Sequence, residues 1–200
     1  MRTPIYVILL FIFSIVSCKA QTVIVPIGSG DAMQNNPNYY LKDVNNEFGK
    51  FEGTWIYQNG MTELTLILKK EDHYQISSSS DFEDVLVGEY QYIENGTEKI
   101  NTLLDIEDAF ITGYEHAISG GVFMHKLPNF CTDNSAISEI KIELLIDNPA
   151  NEFAEGRVIL RYVNDNGIEK LEACIYDYTI MGDNVVKLDI PDGYYVLVKQ

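Results

Sequence analysis

The side chains able to act as nucleophiles, metal ligands or redox groups are few: three cysteines (Cys18, Cys131, Cys174), three histidines (His73, His116, His125) and a serine run at 77–80. The histidines fall in three separate segments. None shows the i,i+4 spacing that puts two imidazoles on one helix face around zinc, and no paired-cysteine ligand set accompanies them. They are expected as scattered surface residues, with no metal and no cofactor. The serine run lacks the flanking glycines of a nucleophile elbow. Residues 164–169 (NDNGIE) hint at a calcium loop, but such a loop needs ligands at alternate positions and a closing glutamate, so a hairpin turn explains them better. Residues 95–97 (NGT) match a glycosylation sequon and also read as a turn. A glycosidase pair is set by distance in the fold, so 30 acidic residues single out no candidate by spacing. No catalytic residue is identified, and the chain is not expected to be an enzyme.

Cys18 is different, because of what precedes it. Arg2 supplies a positive charge and residues 5–16 (IYVILLFIFSIV) an apolar run, too short for the ~20 residues that span a bilayer as helix. Residues 1–17 therefore read as a signal peptide. Ile15-Val16-Ser17-Cys18 resembles the lipobox of bacterial lipoproteins. The resemblance implies cleavage before Cys18, a thioether-linked diacylglycerol on its sulfur and a fatty acid on its amine. Two or three acyl chains on one residue anchor stably where a single chain gives only marginal binding. The alternative is an ordinary secretory signal cut near Ala20, which fits poorly because Lys19 would stand between the two small positions. Lys19-Ala20 lacks the acidic residues of inner-membrane retention or surface export, so the expected address is the outer membrane, with the domain in the periplasm.

In that oxidising compartment Cys131 and Cys174 form an even pair. Two readings stand open: a disulfide closing residues 131–174, contributing around 4 kcal/mol in the chain-entropy model, or two free thiols with one on a sheet face. The charge narrows the partners. The full chain carries 14 basic and 30 acidic residues, a net −16, and loss of Arg2 with the signal makes it −17. A nucleic-acid binder needs a basic footprint, so nucleic acid is excluded as a partner. At 46% hydrophobic and 12% aromatic residues, the acidity decorates a folded core.

The elements that position these residues are strands. Residues 18–46, with Pro26, Gly28, Gly30 and Pro37, read as the lipidated N-terminus and a flexible tether, in which 22–25 (TVIV) is a candidate edge strand. Residues 47–200 form the domain. Residues 61–70 (MTELTLILKK) place Leu64, Leu66 and Leu68 on one face, and 140–147 place Ile140, Ile142, Leu144 and Ile146 likewise. Segments 73–78, 84–94, 97–103, 121–126, 157–163, 169–178 and 194–199 continue the theme. Asn59-Gly60, Asn95-Gly96, Asn166-Gly167 and Asp192-Gly193 are hairpin-turn signals, since φ > 0 selects Asn or Asp followed by Gly. Residues 104–119 fit a short helix as well as a strand. The expectation is an all-β fold: one antiparallel, mostly up-and-down β-barrel of about 8–10 strands, which leaves no exposed edge.

Residues 50–57 (KFEGTWIY) resemble the Gly-x-Trp first-strand signature of lipocalin-like (calycin) barrels. That resemblance implies that Gly53 and Trp55 close the core at one end, with Lys199 of the last strand packing across the indole where arginine is usual. A broader resemblance spans 17–21 (SCKAQ), 50–55 (KFEGTW), 88–96 (GEYQYIENG), 191–194 (PDGY) and the terminal Lys199-Gln200. On these segments the chain resembles a group of uncharacterised flavobacterial lipoproteins, which brings no activity or site with it. The barrel interior, with tyrosines such as Tyr90, Tyr92, Tyr162, Tyr176, Tyr178, Tyr194 and Tyr195, is a candidate cavity for a small apolar or amphipathic ligand. The alternative is an envelope protein-interaction or structural lipoprotein without a pocket.

Palmitate labelling in the native host is expected to mark the wild-type chain and to leave a Cys18→Ser chain unlabelled. A labelled variant refutes the anchor.

Overall fold

The computed structural model describes residues 22–29, 36–128, 131, 136, 138–151, 153–177 and 187–200. Cys18, the signal at 1–17 and Tyr178 lie outside the described residues. Eleven strands run in chain order: β1 (Val23–Pro26), β2 (Tyr39–Lys42), β3 (Gly53–Asn59), β4 (Thr62–Tyr74), β5 (Phe82–Glu94), β6 (Thr97–Asn101), β7 (Ile118–Met124), β8 (Lys141–Asp147), β9 (Glu155–Asp165), β10 (Ile168–Asp177) and β11 (Gly193–Lys199). Eight of them, β3, β4, β5 and β7 to β11, form a closed antiparallel barrel in up-and-down order. The antiparallel seam between β11 and β3 completes the circle through Val198↔Ile56 and Lys199↔Trp55.

One edge of β5 is shared by β2, β6 and the barrel strand β7. β2 pairs in parallel with Phe82 and Glu83, β7 takes Leu86 to Gly88, and β6 takes Gln91 to Glu94. Its other edge belongs to β4 over most of its length. β1 lies parallel to β2, from Val23↔Tyr39 to Pro26↔Lys42. The expected tether at 18–46 is therefore corrected in part. Its apolar residues Val25 and Tyr40 are buried and their backbone joins the sheet, which satisfies amides that β5 would otherwise leave open.

Period-two alternation does what it predicts. Leu64, Leu66 and Leu68 of β4, Leu86, Tyr90 and Tyr92 of β5, and Ile142, Leu144 and Ile146 of β8 all point into one core. Three aromatic residues plug one end. Phe48 and Phe51, on either side of the short 3-10 turn Phe48–Lys50, and Trp55 of β3 are all fully buried, with Trp55 Nε1 donating to the Phe51 carbonyl at 2.8 Å. Lys199 Nζ stands 5.1 Å from the centre of the indole and 3.3 Å from Glu169. Gly53 has φ +123°, and a Cβ there would sit 3.1 Å from Lys199 Cε. The structure thus brings Gly53, Trp55 and Lys199 together.

Several boundaries differ from expectation. Asn95-Gly96 and Asn166-Gly167 turn with both residues at positive φ, as the mirror-image hairpin turn requires. The β3–β4 hairpin instead turns on Gly60-Met61, since Asn59 still pairs with Thr62. Gly193 is the first residue of β11, paired with Ile175, so Asp192-Gly193 is not a tight hairpin. Asp192 accepts the Asp177 N–H at 2.9 Å and so ends the strand pair. Residues 75–78 are not strand. β4 bulges at His73 (φ +60°) and ends at Tyr74. Residues 104–119 form no helix but an extended strap with two 3-10 turns, Leu103–Glu107 and Gly113–Glu115, leading into β7. Gly113 has φ +54°, and a Cβ there would lie 2.2 Å from the Tyr74 ring, so both the backbone and the space require glycine; Phe110, on the supposed helical face, is exposed to solvent.

Truncation of the plug, Trp55→Ala, is expected to cost about 3–5 kcal/mol in urea unfolding. Lys199→Met keeps the aliphatic stem and loses the cation over the ring, about 0.5–2 kcal/mol, together with the partly exposed pair to Glu169.

Candidate functional site

The barrel interior is occupied by side chains. Trp55, Leu64, Leu66, Leu86, Tyr90, Ile118, Ile142 and Leu197 fill it with essentially no exposed surface, joined by Tyr92 and Tyr195. Among the described residues these side chains form one packed core, as in small barrels whose interiors are filled by side chains. The interior tyrosines are core, with their hydroxyls bonded outward: Tyr90 to the Asp147 carbonyl at 2.9 Å and Tyr195 to the Pro191 carbonyl at 2.7 Å.

A cleft of about 560 Å³ lies where β2 and β7 part from the β5 edge. That volume falls in the range of small-molecule sites, roughly 300–1,000 Å³. Its apolar wall comes from Ile27 after β1, Leu41 of β2, Val122 and Phe123 of β7, and Leu145 of β8. Gly28 lines it closely, since a Cβ there would meet the Phe123 ring at 3.3 Å. A register shift between Gly120 and Val122 turns β7 at this point. Bulges re-aim side chains and are frequent beside functional sites.

The polar residues of the cleft come from β5, β7, β8, β9 and the strap. Glu83 of β5 is in register with Leu41 and with Tyr74, and burial pushes its carboxyl up even though Tyr114 bonds the ionised form. Burial and the Glu83 charge in turn push the Tyr114 hydroxyl up. Beyond β7, Glu143 of β8 accepts the Tyr176 hydroxyl at 2.9 Å, and Arg157 of β9 pairs in register with Leu145 and Tyr176. Ser119 of β7 lies between them. It is fully buried, lines the cleft, and its Oγ has no hydrogen-bond partner among the described residues. A buried hydroxyl without a partner costs about 1–3 kcal/mol, so the fold tolerates at this position a group that a bound molecule can satisfy.

Two buried polar clusters frame the cleft. Asp84 accepts the Tyr40 hydroxyl and the backbone N–H groups of Asp43 (2.9 Å) and His73 (3.2 Å), and lies 3.3 Å from Lys70 Nζ. Asp43 in turn accepts the amides of Glu47 and Phe48 at 2.8 Å each, which holds the aromatic plug in place. The second cluster pins the strap. His116 is 3% exposed, with Nδ1 2.8 Å from Glu89 Oε1 and Nε2 3.5 Å from Glu71 Oε1, and Gly113 donates to Glu71 Oε2 at 2.8 Å. The strap thereby sets Tyr114 against the cleft.

His116 corrects the expectation of three surface histidines. His73 is stacked on Phe82 at 4.0 Å, and the His125 carbonyl accepts Lys141 Nζ at 3.2 Å. The three stay apart, and no group of three or more His, Cys, Asp or Glu among the described residues could hold a metal ion. Ser77 and Ser80 bond each other in an exposed turn. Cys131 and Cys174 are joined by a disulfide, Cα–Cα 5.9 Å, packed with Leu127 and Ile159 on the outer face of the barrel. Sequence spacing has no means of finding the cleft or the His116 pair, because their residues meet only through the pairing of β5 with β2, β4 and β7.

A family model matches residues 1–200, that of a family of unknown function (DUF6705). No curated protein and no solved structure matches the chain.

Burial alone would push the Asp84 carboxyl up. The Tyr40 hydroxyl, the two backbone donors and the Lys70 ammonium outweigh it and hold the group below its usual range. A depressed folded value means that the stabilisation is complete above the unfolded aspartate range and is lost as pH falls through the folded value. Wild type is therefore expected to exceed Asp84→Asn in stability at neutral pH, with the gap closing below about pH 4. Urea titrations of both at several pH values check this, and a gap that does not change with pH contradicts it.

Proposed function

We propose, from the premise that the chain belongs to that family of unknown function, that it is a lipid-anchored envelope protein that binds a small amphipathic molecule in the lateral cleft. The barrel serves as a solid scaffold. The observation that carries this reading is Ser119: a fully buried hydroxyl lacking a partner among the described residues, facing a cleft with a mainly apolar wall. An apolar tail against Leu41, Val122 and Phe123 and a polar head near Ser119, Glu83 and Tyr114 match the division of the lining. The function is one of binding, not turnover.

Attachment through Cys18, with the domain in the periplasm, agrees with the charge. A domain of net −17 after signal removal is repelled by anionic lipid, so the acyl chains must supply the membrane affinity. A second reading, docking to an envelope protein, is favoured by Leu104 and Phe110, which stand 89% and 91% exposed on the strap.

Ser119→Ala separates the two. Removal of an unsatisfied hydroxyl is expected to raise stability by about 1 kcal/mol, while native mass spectrometry of the protein released from membranes shows less co-purifying small molecule than wild type. If wild type carries no small molecule and gains no midpoint from amphiphiles, the cleft reading fails.

A further inference from the structure

We propose that the cleft selects a cationic amphiphile, an ammonium head on a short apolar chain, over the corresponding acid. The inference rests on the cleft reading above and adds the sign of the ligand's charge. Three acidic residues, Glu83 and Asp84 of β5 and Glu143 of β8, line the cleft, and of these Asp84 is already paired with Lys70. Arg157 is the only basic residue among the lining residues, and its charge already acts on Asp147 and Tyr176. The immediate surroundings of a bound head group are therefore net negative.

The chain as a whole carries −16, which draws cations toward its clefts and turns anions away. Glu83 supplies the directed part. Its neighbours are Tyr74 across β4, Tyr114 from the strap, Leu41 from β2, and Asp81 and Asp84 along its own chain, so no basic side chain is paired with it in register. Desolvation opposes its charge, and an ammonium group brought into the cleft relieves that cost in a way a carboxylate cannot. The Ser119 hydroxyl accepts from an N–H as readily as it donates, so it fits an amine head, and the wall of Leu41, Val122 and Phe123 takes the chain.

The test uses the full chain in phosphatidylcholine nanodiscs, titrated by calorimetry with hexylammonium, hexan-1-ol and hexanoate against empty nanodiscs. Hexylammonium is expected to bind about tenfold more tightly than hexanoate, with the alcohol between them. Glu83→Gln is expected to lower hexylammonium affinity about tenfold and to narrow its lead over the alcohol. Glu143→Gln, on β8, acts in the same direction and serves if Glu83→Gln does not fold. Hexanoate binding as tightly as hexylammonium overturns the charge preference and leaves the cleft standing. Binding of none of the three overturns the cleft reading as well.

Discussion

One long strand edge organises this molecule. β5 runs for 13 residues, and no single neighbour covers the edge that faces away from β4. Backbone amides left without partners on such an edge are costly and invite aggregation. Three short strands divide it instead: β2, β7 and β6. Only the middle one continues the barrel. Where the first gives way to the second, at residues 84–85, two sheets diverge and the cleft opens. The strap exists for the same reason, since the chain must return from the end of β6 to the start of β7 over the outer face of β4 and β5.

The polar interior follows from that division. Crossing the outer face of β5 buries Glu89, and the strap answers with His116 and the Ala117 amide. At the other end of β5, Asp84 gathers donors from β2, the β4 bulge and Lys70. Buried charges of this kind are destabilising when one partner is missing, so they fix which segments pack where more than they add to stability. The apolar plug of Phe48, Phe51 and Trp55 supplies the stability, and Gly121 makes room for it, since a Cβ there would lie 2.5 Å from the Phe48 ring. The wall of the cleft and the floor of the barrel are thus built from one stretch of β7.

The architecture was legible in the amino-acid sequence, and the site was not. Leucines at 64, 66 and 68 and isoleucines at 142 and 146 announce half-buried strands, because period-two alternation is a local signal. Asn95-Gly96 and Asn166-Gly167 are local too. Asn59-Gly60 misleads by one position, because two-residue turns begin with glycine as well as end with it. The prolines and glycines of residues 18–46 suggest a tether and obscure Tyr40 and Asp43, whose burial depends on Asp84, far along the chain. Ser119 looks like any strand serine until its neighbours Glu83, Leu145 and Arg157 are assembled from three other strands. No periodicity reports such a meeting.

The parallel pair at the start of the fold bears on where the cleft can be. β1 begins at Val23, five residues after Cys18, and its last turn of chain carries Ile27 into the cleft wall. At no more than ~3.6 Å per residue, the lipid proposed on Cys18 would give the domain a leash of about 18 Å. A domain so held would not sweep the periplasm. It would be confined to a thin layer above the bilayer, where what it meets is set by the composition of the membrane surface more than by that of the surrounding fluid.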